Sequence, residues 1–184
     1  MTWTGTGNIS TEEDDLKIRA MTRCALFAAL TAVCAWISLP VPPVRITLQT
    51  FALALSLLTL GGKWGSRALG LYLLLGIVGM PVFSGFRGGL GALMDVTGGF
   101  LWGFGVGAVL YRLTERKSRV LALAAFQLSC YGCGCLWFQM YTGCGFPAAV
   151  LGCVVPYLLP DGVKLALAWL LAGRLRRTVT LEEK

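Results

Sequence analysis

Asp161 and Lys164 stand three residues apart inside an otherwise apolar stretch of a 184-residue chain that contains no histidine. On a helix, residues at i and i+3 share a face, so the two can pair with each other or offer an anion and a cation to a ligand. Arg45, Arg87 and Asp95 are the other charges that stand apart from the chain's charged clusters. A charge among apolar neighbours is costly, and such groups pair or serve a polar ligand. Arg45 also fits an ordinary solvated charge on a short loop. Three cations against two anions suit a ligand that carries a carboxylate and a further polar head. Gln49, within the run Ile46-Thr47-Leu48-Gln49-Thr50, and Ser84, near Arg87, add uncharged hydrogen-bonding groups. Trp36, Phe83, Phe86, Trp137 and Tyr157 are candidate apolar walls, although aromatic residues at membrane interfaces need no ligand.

Other chemistries fit poorly. Without histidine or a nucleophile–base arrangement, Asp161 and Lys164 make a weak case for acid–base catalysis, and no enzyme activity is expected. Cys130, Cys133, Cys135 and Cys144 resemble a metal cluster on paper. On a helix, however, the first two share a face while Cys135 points away, and a structural zinc site needs four converging thiolates. Small buried packing residues are the simpler reading, with no metal and no cofactor. Gly61-Gly62-Lys63-Trp64-Gly65-Ser66-Arg67 lacks the leading glycine and the Ser/Thr of a nucleotide-binding loop, and the glycines of Gly79–Gly99 follow no strand.

The elements that must position these residues are membrane helices. The chain is 56% hydrophobic and 14% charged, where soluble domains carry roughly a quarter charged residues. Apolar segments rich in Gly, Leu and Ala, without strand alternation, predict an all-α integral membrane protein, its surface covered by lipid. Residues 1–19 read as a polar cytoplasmic tail without the features of a secretory signal. Residues 20–177 read as the membrane domain and 178–184 as a second cytoplasmic tail. Lys17, Arg19 and Arg23, then Lys63 and Arg67, then Arg112, Arg116, Lys117 and Arg119, then Arg174, Arg176, Arg177 and Lys184 hold 13 of the 16 cations. Short basic loops stay cytoplasmic, so the net charge of +7 reflects topology rather than a nucleic-acid partner. The intervals near 20–60, 68–111 and 120–173 each hold one helical hairpin, at about 20 residues per span. Six helices follow, with both termini inside and the five isolated charges on the outer side. The outer connections are a proline turn at Pro40–Arg45, a glycine-rich loop over Gly79–Gly99, and a broken segment over Thr142–Pro160 before a last span that starts near Asp161. In the first span Ala25, Ala28, Ala29 and Ala32 put small side chains three and four apart, a pattern of close helix approach or of simple alanine abundance.

Read in order, these segments resemble a known family. Ala25-Leu26-Phe27-Ala28-Ala29-Leu30, Pro40-Val41-Pro42-Pro43-Val44 with Thr47-Leu48-Gln49-Thr50, Gly79-Met80-Pro81-Val82-Phe83, Gly88-Gly89-Leu90-Gly91, Thr97-Gly98-Gly99-Phe100 and Pro156-Tyr157-Leu158-Leu159-Pro160-Asp161 with Lys164 are similar to BioY, the biotin-specific substrate-binding (S) subunits of energy-coupling-factor (ECF) transporters. The resemblance covers residues 20–177. It implies biotin capture at the outer face of the bacterial plasma membrane, and docking onto a transmembrane coupling protein with two ATP-binding ATPase subunits. It also implies that Asp161 and Lys164 contact biotin and that Ala25 and Ala29 meet the coupling protein. Arg87, Ser84, Gln49 and Arg45 join the expected site. Where many relatives read Gly-Pro before Thr-Gly-Gly, this chain has Asp95-Val96. A self-sufficient membrane carrier for biotin or a similar small carboxylate is the alternative.

The topology has a direct test in single cysteines placed in a cysteine-free background. Lys63→Cys, Lys117→Cys and Arg176→Cys should be labelled only from the cytoplasmic side and Arg45→Cys only from outside. External labelling of Lys117→Cys would overturn the hairpin assignment.

Overall fold

The computed structural model describes residues 8–39 and 45–181. Its elements are α1 (Asn8–Trp36), the short strands β1 (Ser38–Leu39) and β2 (Ile46–Thr47), α2 (Gln49–Val78), α3 (Leu90–Met94), α4 (Gly98–Thr114), α5 (Arg119–Thr142), α6 (Phe146–Cys153) and α7 (Val155–Leu181). The strands pair antiparallel, Ser38 opposite Thr47 and Leu39 opposite Ile46. Of the expected proline turn, Pro40–Arg45, all but Arg45 lies outside the described residues, as do Met1–Gly7 and Glu182–Lys184.

Helices extend further than the sequence reading placed them. Helix α1 starts at Asn8, well inside the segment read as a tail. No Gly or Pro interrupts it, and Asp14 pairs with Lys17 at 3.4 Å one turn on. Helix α7 starts at Val155 rather than near Asp161 and continues past residue 178 to Leu181. Pro156 falls in its first turn, where a missing N–H costs nothing, and Pro160 lies inside the helix.

Helix α2 is a hairpin of two arms. Gly61 has φ +75° and ψ 171°, a conformation for which only glycine is suited. A Cβ on Gly65 would stand 2.8 Å from Leu57 Cα, whereas eight residues of straight helix span about 12 Å. The arms 49–60 and 62–78 therefore double back on each other. The second arm begins with an otherwise orphaned N–H, and Gly62 N donates to Glu115 Oε2 at 2.6 Å. With α2 counted as two rods, six long helical segments form the bundle. Among the described residues, the stretches Asp14–Trp36, Arg119–Thr142 and Val155–Arg176 are long and apolar enough to cross a membrane. The other three rods are shorter.

Helices α4 and α5 pack closely. Gly103 faces Cys130, whose Cα would lie 2.8 Å from an added Cβ, and Ser129 Oγ donates to the Gly103 carbonyl at 3.3 Å. Small residues permit such approach. Cys130 and Cys135 are buried; Cys135 Sγ points to the Ala149 carbonyl of α6 at 3.8 Å. The four alanines of α1 do not share one environment: Ala28 and Ala32 are buried in the bundle while Ala25 and Ala29 are exposed. A partner can reach only the second pair, so Ala28 and Ala32 belong to internal packing.

The basic groups gather at one end. Cys24, next to Arg23, points to the Trp64 carbonyl at 3.2 Å; Arg112 and Glu115 abut Gly62; Arg176 lies within electrostatic reach of Arg119 and Glu115. At the close approach of the two α2 arms, Gly65→Leu should lower the stability of the detergent-solubilised protein by about 1–3 kcal/mol. Gly70→Ala, with nothing within 4 Å of the new methyl, should leave it equal or slightly higher. Equal thermal midpoints for Gly65→Leu and the parent chain would rule the hairpin out.

Candidate ligand-binding site

At the opposite end a cavity of about 750 Å³, counted out to its open mouth, lies between the first arm of α2, the loop that follows its second arm, and helices α4, α5 and α7. Arg45, Gln49, Ser84, Arg87, Asp161 and Lys164 all line it. Residues separated by more than a hundred positions thus meet around one space.

The floor of the cavity is a closed ionic network. Asp161 and Lys164 are 5% and 7% exposed, and Lys164 Nζ donates to Asp161 Oδ1 at 2.8 Å, across the i,i+3 spacing on α7. Thr50 Oγ1, at the start of α2, donates to the same oxygen at 3.3 Å and accepts from Lys164 Nζ at 3.5 Å. On the other oxygen, Oδ2, Tyr131 Oη donates at 2.8 Å and Gln127 Nε2 at 3.0 Å. Gln127 and Tyr131 are one turn apart on α5, so a single helix face delivers both donors. A buried carboxylate needs such partners, because an unpaired charge at this depth would be strongly destabilising. With four donors its two oxygens are filled.

The wall opposite comes from the loop after α2. Its chain turns at Gly85 and Phe86, both with positive φ, which brings Phe83 across from Arg87 in an antiparallel bridge. Arg87 pairs with Asp95 through NH1, donates from Nε to the Ser84 carbonyl at 3.2 Å, and donates from NH2 to Thr97 Oγ1 at 3.2 Å. Asp95 therefore anchors Arg87 instead of lining the cavity. The guanidinium of Arg45 lies over Gly85, where an added Cβ would stand 2.8 Å from it.

Of the aromatic residues expected as walls, Phe83 and Tyr157 line the cavity. Trp36, Phe86 and Trp137 do not. Trp36 stacks on Phe86 with centroids 4.9 Å apart and donates to the Pro81 carbonyl at 2.8 Å. Trp137 donates to the Asp95 carbonyl at 2.9 Å. These rings fasten the loop to α1 and α5 instead of facing a ligand. Phe100 and Phe104 of α4 provide further apolar wall.

Gln127, Tyr131 and Thr50 complete the site and were not singled out as ligand-binding candidates from the sequence. A glutamine in the middle of the apolar run of α5 was the available signal, since polar groups at membrane depth are seldom idle. Three lining residues keep buried polar atoms without a partner: Gln49 Nε2, Ser84 Oγ and Gln127 Oε1. Unsatisfied buried groups are costly, and all three belong to residues that line the apolar-walled space. The arrangement suits a small molecule with an apolar body and polar groups at its ends. Among the described residues no three His, Cys, Asp or Glu side chains converge as metal ligands.

Comparison with known proteins places the chain in a family. The model of the BioY family matches residues 9–181. A protein of Pyrococcus horikoshii named a probable biotin transporter BioY is 38% identical over 161 residues, covering 88% of this chain and 98% of that protein. The biotin transporter BioY of Thermotoga maritima is 38% identical over 165 residues, covering 87% and 97%. These relatives are named as transporters, not enzymes. The fold matches the crystal structure of the S-component for biotin from an ECF-type ABC transporter, with a TM-score of 0.77 at 21% identity over 89% of this chain and 93% of that one. A family model covering nearly the whole chain, relatives aligned almost end to end and a shared helical fold establish that this protein belongs to the BioY family.

Proposed function

We propose that this chain captures biotin at the outer face of the cell membrane and delivers it inward as the S subunit of an ECF-type uptake transporter. The buried Asp161–Lys164 pair, opening onto an apolar-walled cavity in a member of the BioY family, carries this reading. Biotin has a carboxylate at one end of an apolar chain and a neutral ureido head at the other. The cavity has the matching chemistry: cations at Lys164, Arg87 and Arg45 for a carboxylate or a ureido oxygen, and Phe83, Phe100, Phe104 and Tyr157 around the apolar part. Lys164 has a third N–H beyond those directed to Asp161 and Thr50.

In this reading the six rods cross the membrane. Both termini and the basic end are cytoplasmic, in keeping with the positive-inside rule, and the cavity opens outward. Transport then needs an energy source outside the chain, since no nucleotide-binding loop is present in its sequence. A coupling protein with two ATP-binding subunits supplies it. The exposed side of α1 at Ala25 and Ala29 is the docking face, because small side chains allow a partner helix to approach closely.

Two measurements test this reading. Purified protein should retain biotin detectable by mass spectrometry, and Lys164→Ala should weaken biotin binding by roughly ten- to a hundredfold, the loss of a charge-assisted hydrogen bond. No retained biotin and no calorimetric binding to folded protein would end the biotin assignment. In vesicles with coupling and ATPase subunits, Ala25→Trp with Ala29→Trp should abolish uptake while biotin affinity stays within about twofold, as expected for a blocked helix contact remote from the cavity. Uptake by the chain alone, undiminished by these changes, would establish the self-sufficient carrier.

A further inference from the structure

We infer that the basic end of the bundle holds an anionic glycerophospholipid, with its phosphate among Lys63, Arg112 and Arg116 and an acyl chain along the groove between the second arm of α2 and α4. The three cations come from two adjoining rods. An added Cβ on Gly62 would stand 2.9 Å from Arg112 Cα, so Lys63 directly follows the contact that joins the rods. Arg116 sits in the turn after α4, four residues on from Arg112. All three are exposed, and no ion pair engages any of them among the described residues. The carboxylate beside them, Glu115, is turned to the Gly62 N–H, from which it accepts at 2.6 Å. Unmatched cations gathered between helices at a membrane surface suit a phosphate head group.

The groove leads from these cations toward the middle of the bundle. Gly62 meets Arg112, and one turn along each rod Ser66 Oγ donates to the Ala108 carbonyl at 3.1 Å. The next turn sets Gly70 level with Phe104 and Gly105. Gly62, Gly65 and Gly103 each answer a close contact, since an added Cβ there would come within 3 Å of a neighbouring backbone. Gly70 answers none: nothing lies within 4 Å of a Cβ at that position. Glycine weakens a helix relative to alanine, so internal packing gives no reason for it there. The missing side chain leaves a furrow on the membrane-facing surface, with exposed Leu74 on the arm and exposed Val109 and Leu113 on α4 as its apolar neighbours. A hydrocarbon chain laid in the furrow gains dispersion contacts that a flat helix face does not offer. Cations at one end and an apolar furrow leading from them match a lipid rather than a soluble anion.

The test is native mass spectrometry of the purified full chain offered equal amounts of phosphatidylglycerol and phosphatidylcholine. The anionic lipid should be retained roughly tenfold over the zwitterionic one, as expected for several cations acting on one head group. Lys63→Gln, Arg112→Gln and Arg116→Gln together should abolish that preference. Arg19→Gln, Arg119→Gln and Arg174→Gln, which remove the same charge elsewhere at the basic end, should keep it. Gly70→Leu, which fills the furrow and leaves every charge in place, should lower retention of both lipids by about threefold or more. Thermal midpoints near that of the parent chain show that each variant is folded. Equal retention of the two lipids by the parent chain, or equal losses in the two charge triples, would reduce the cations to a diffuse basic surface and overturn the inference. So would unchanged retention in Gly70→Leu. Glycerol phosphate, the head group without its chains, should not displace the lipid; full displacement would make this a soluble-phosphate site and overturn the inference as well. Retention is read without biotin, so a failure here and a failure of the biotin reading are separate results.

Discussion

A carboxylate placed inside an apolar bundle must be matched on every side, and the site-bearing half of this protein is arranged around that requirement at Asp161. Its partners come from three different rods: Lys164 from its own helix, Thr50 from the first arm of α2, and Gln127 and Tyr131 from α5. Each donor fixes the rotation of the helix that carries it. Because the Asp161–Lys164 pair is nearly inaccessible, separating it would leave an uncompensated buried charge, a loss of about 3–5 kcal/mol. The cavity takes part of its shape from this clamp, since the helices that reach Asp161 also line the space, together with α4 and the loop after α2.

Packing elsewhere lets the clamp close. Gly61 reverses α2 and Gly65 lets the arms touch, which sets Thr50 back within reach of α7. Gly103 against Cys130 brings α4 onto α5, so that Phe100 and Phe104 wall the space beside Gln127. The loop carrying Ser84 and Arg87 is held from two directions, by Trp36 and by Trp137, through hydrogen bonds to the carbonyls of Pro81 and Asp95. Backbone turns, small residues and indole anchors thus position the polar atoms without contributing to the cavity themselves.

Much of this was legible in the sequence because charge is scarce in it. Basic clusters at intervals led to the expectation of three hairpins, and four of the five isolated charges, Arg45, Arg87, Asp161 and Lys164, do converge on one cavity. The i,i+3 spacing of Asp161 and Lys164 gave their contact. What periodicity could not give was the rotation of each rod. A helix surrounded by lipid and protein is apolar on all sides, so no stripe marks its inner face. That is why Ala25 and Ala29 could not be separated from Ala28 and Ala32, why Gln127 was passed over, and why Trp36 and Trp137 were read as walls. Helix ends were misplaced for a different reason. Charged residues mark the edge of a membrane but do not stop a helix, and α1 continues through Asp14 and Lys17 toward Asn8.

The pairing pattern around the cavity leaves its charges unevenly compensated. Arg87 is matched by Asp95 and Lys164 by Asp161, whereas Arg45, exposed over Gly85, has no ion pair among the described residues. Seen from a distance, the mouth therefore carries the field of one guanidinium, and its interior is close to neutral. A long-range field of that kind acts on diffusional encounter more than on the bound state, and it is screened within about 8–10 Å at physiological salt. Capture of a monoanion would accordingly be faster in dilute media than in saline ones, while its residence time, set by the buried contacts, would hardly respond to ionic strength.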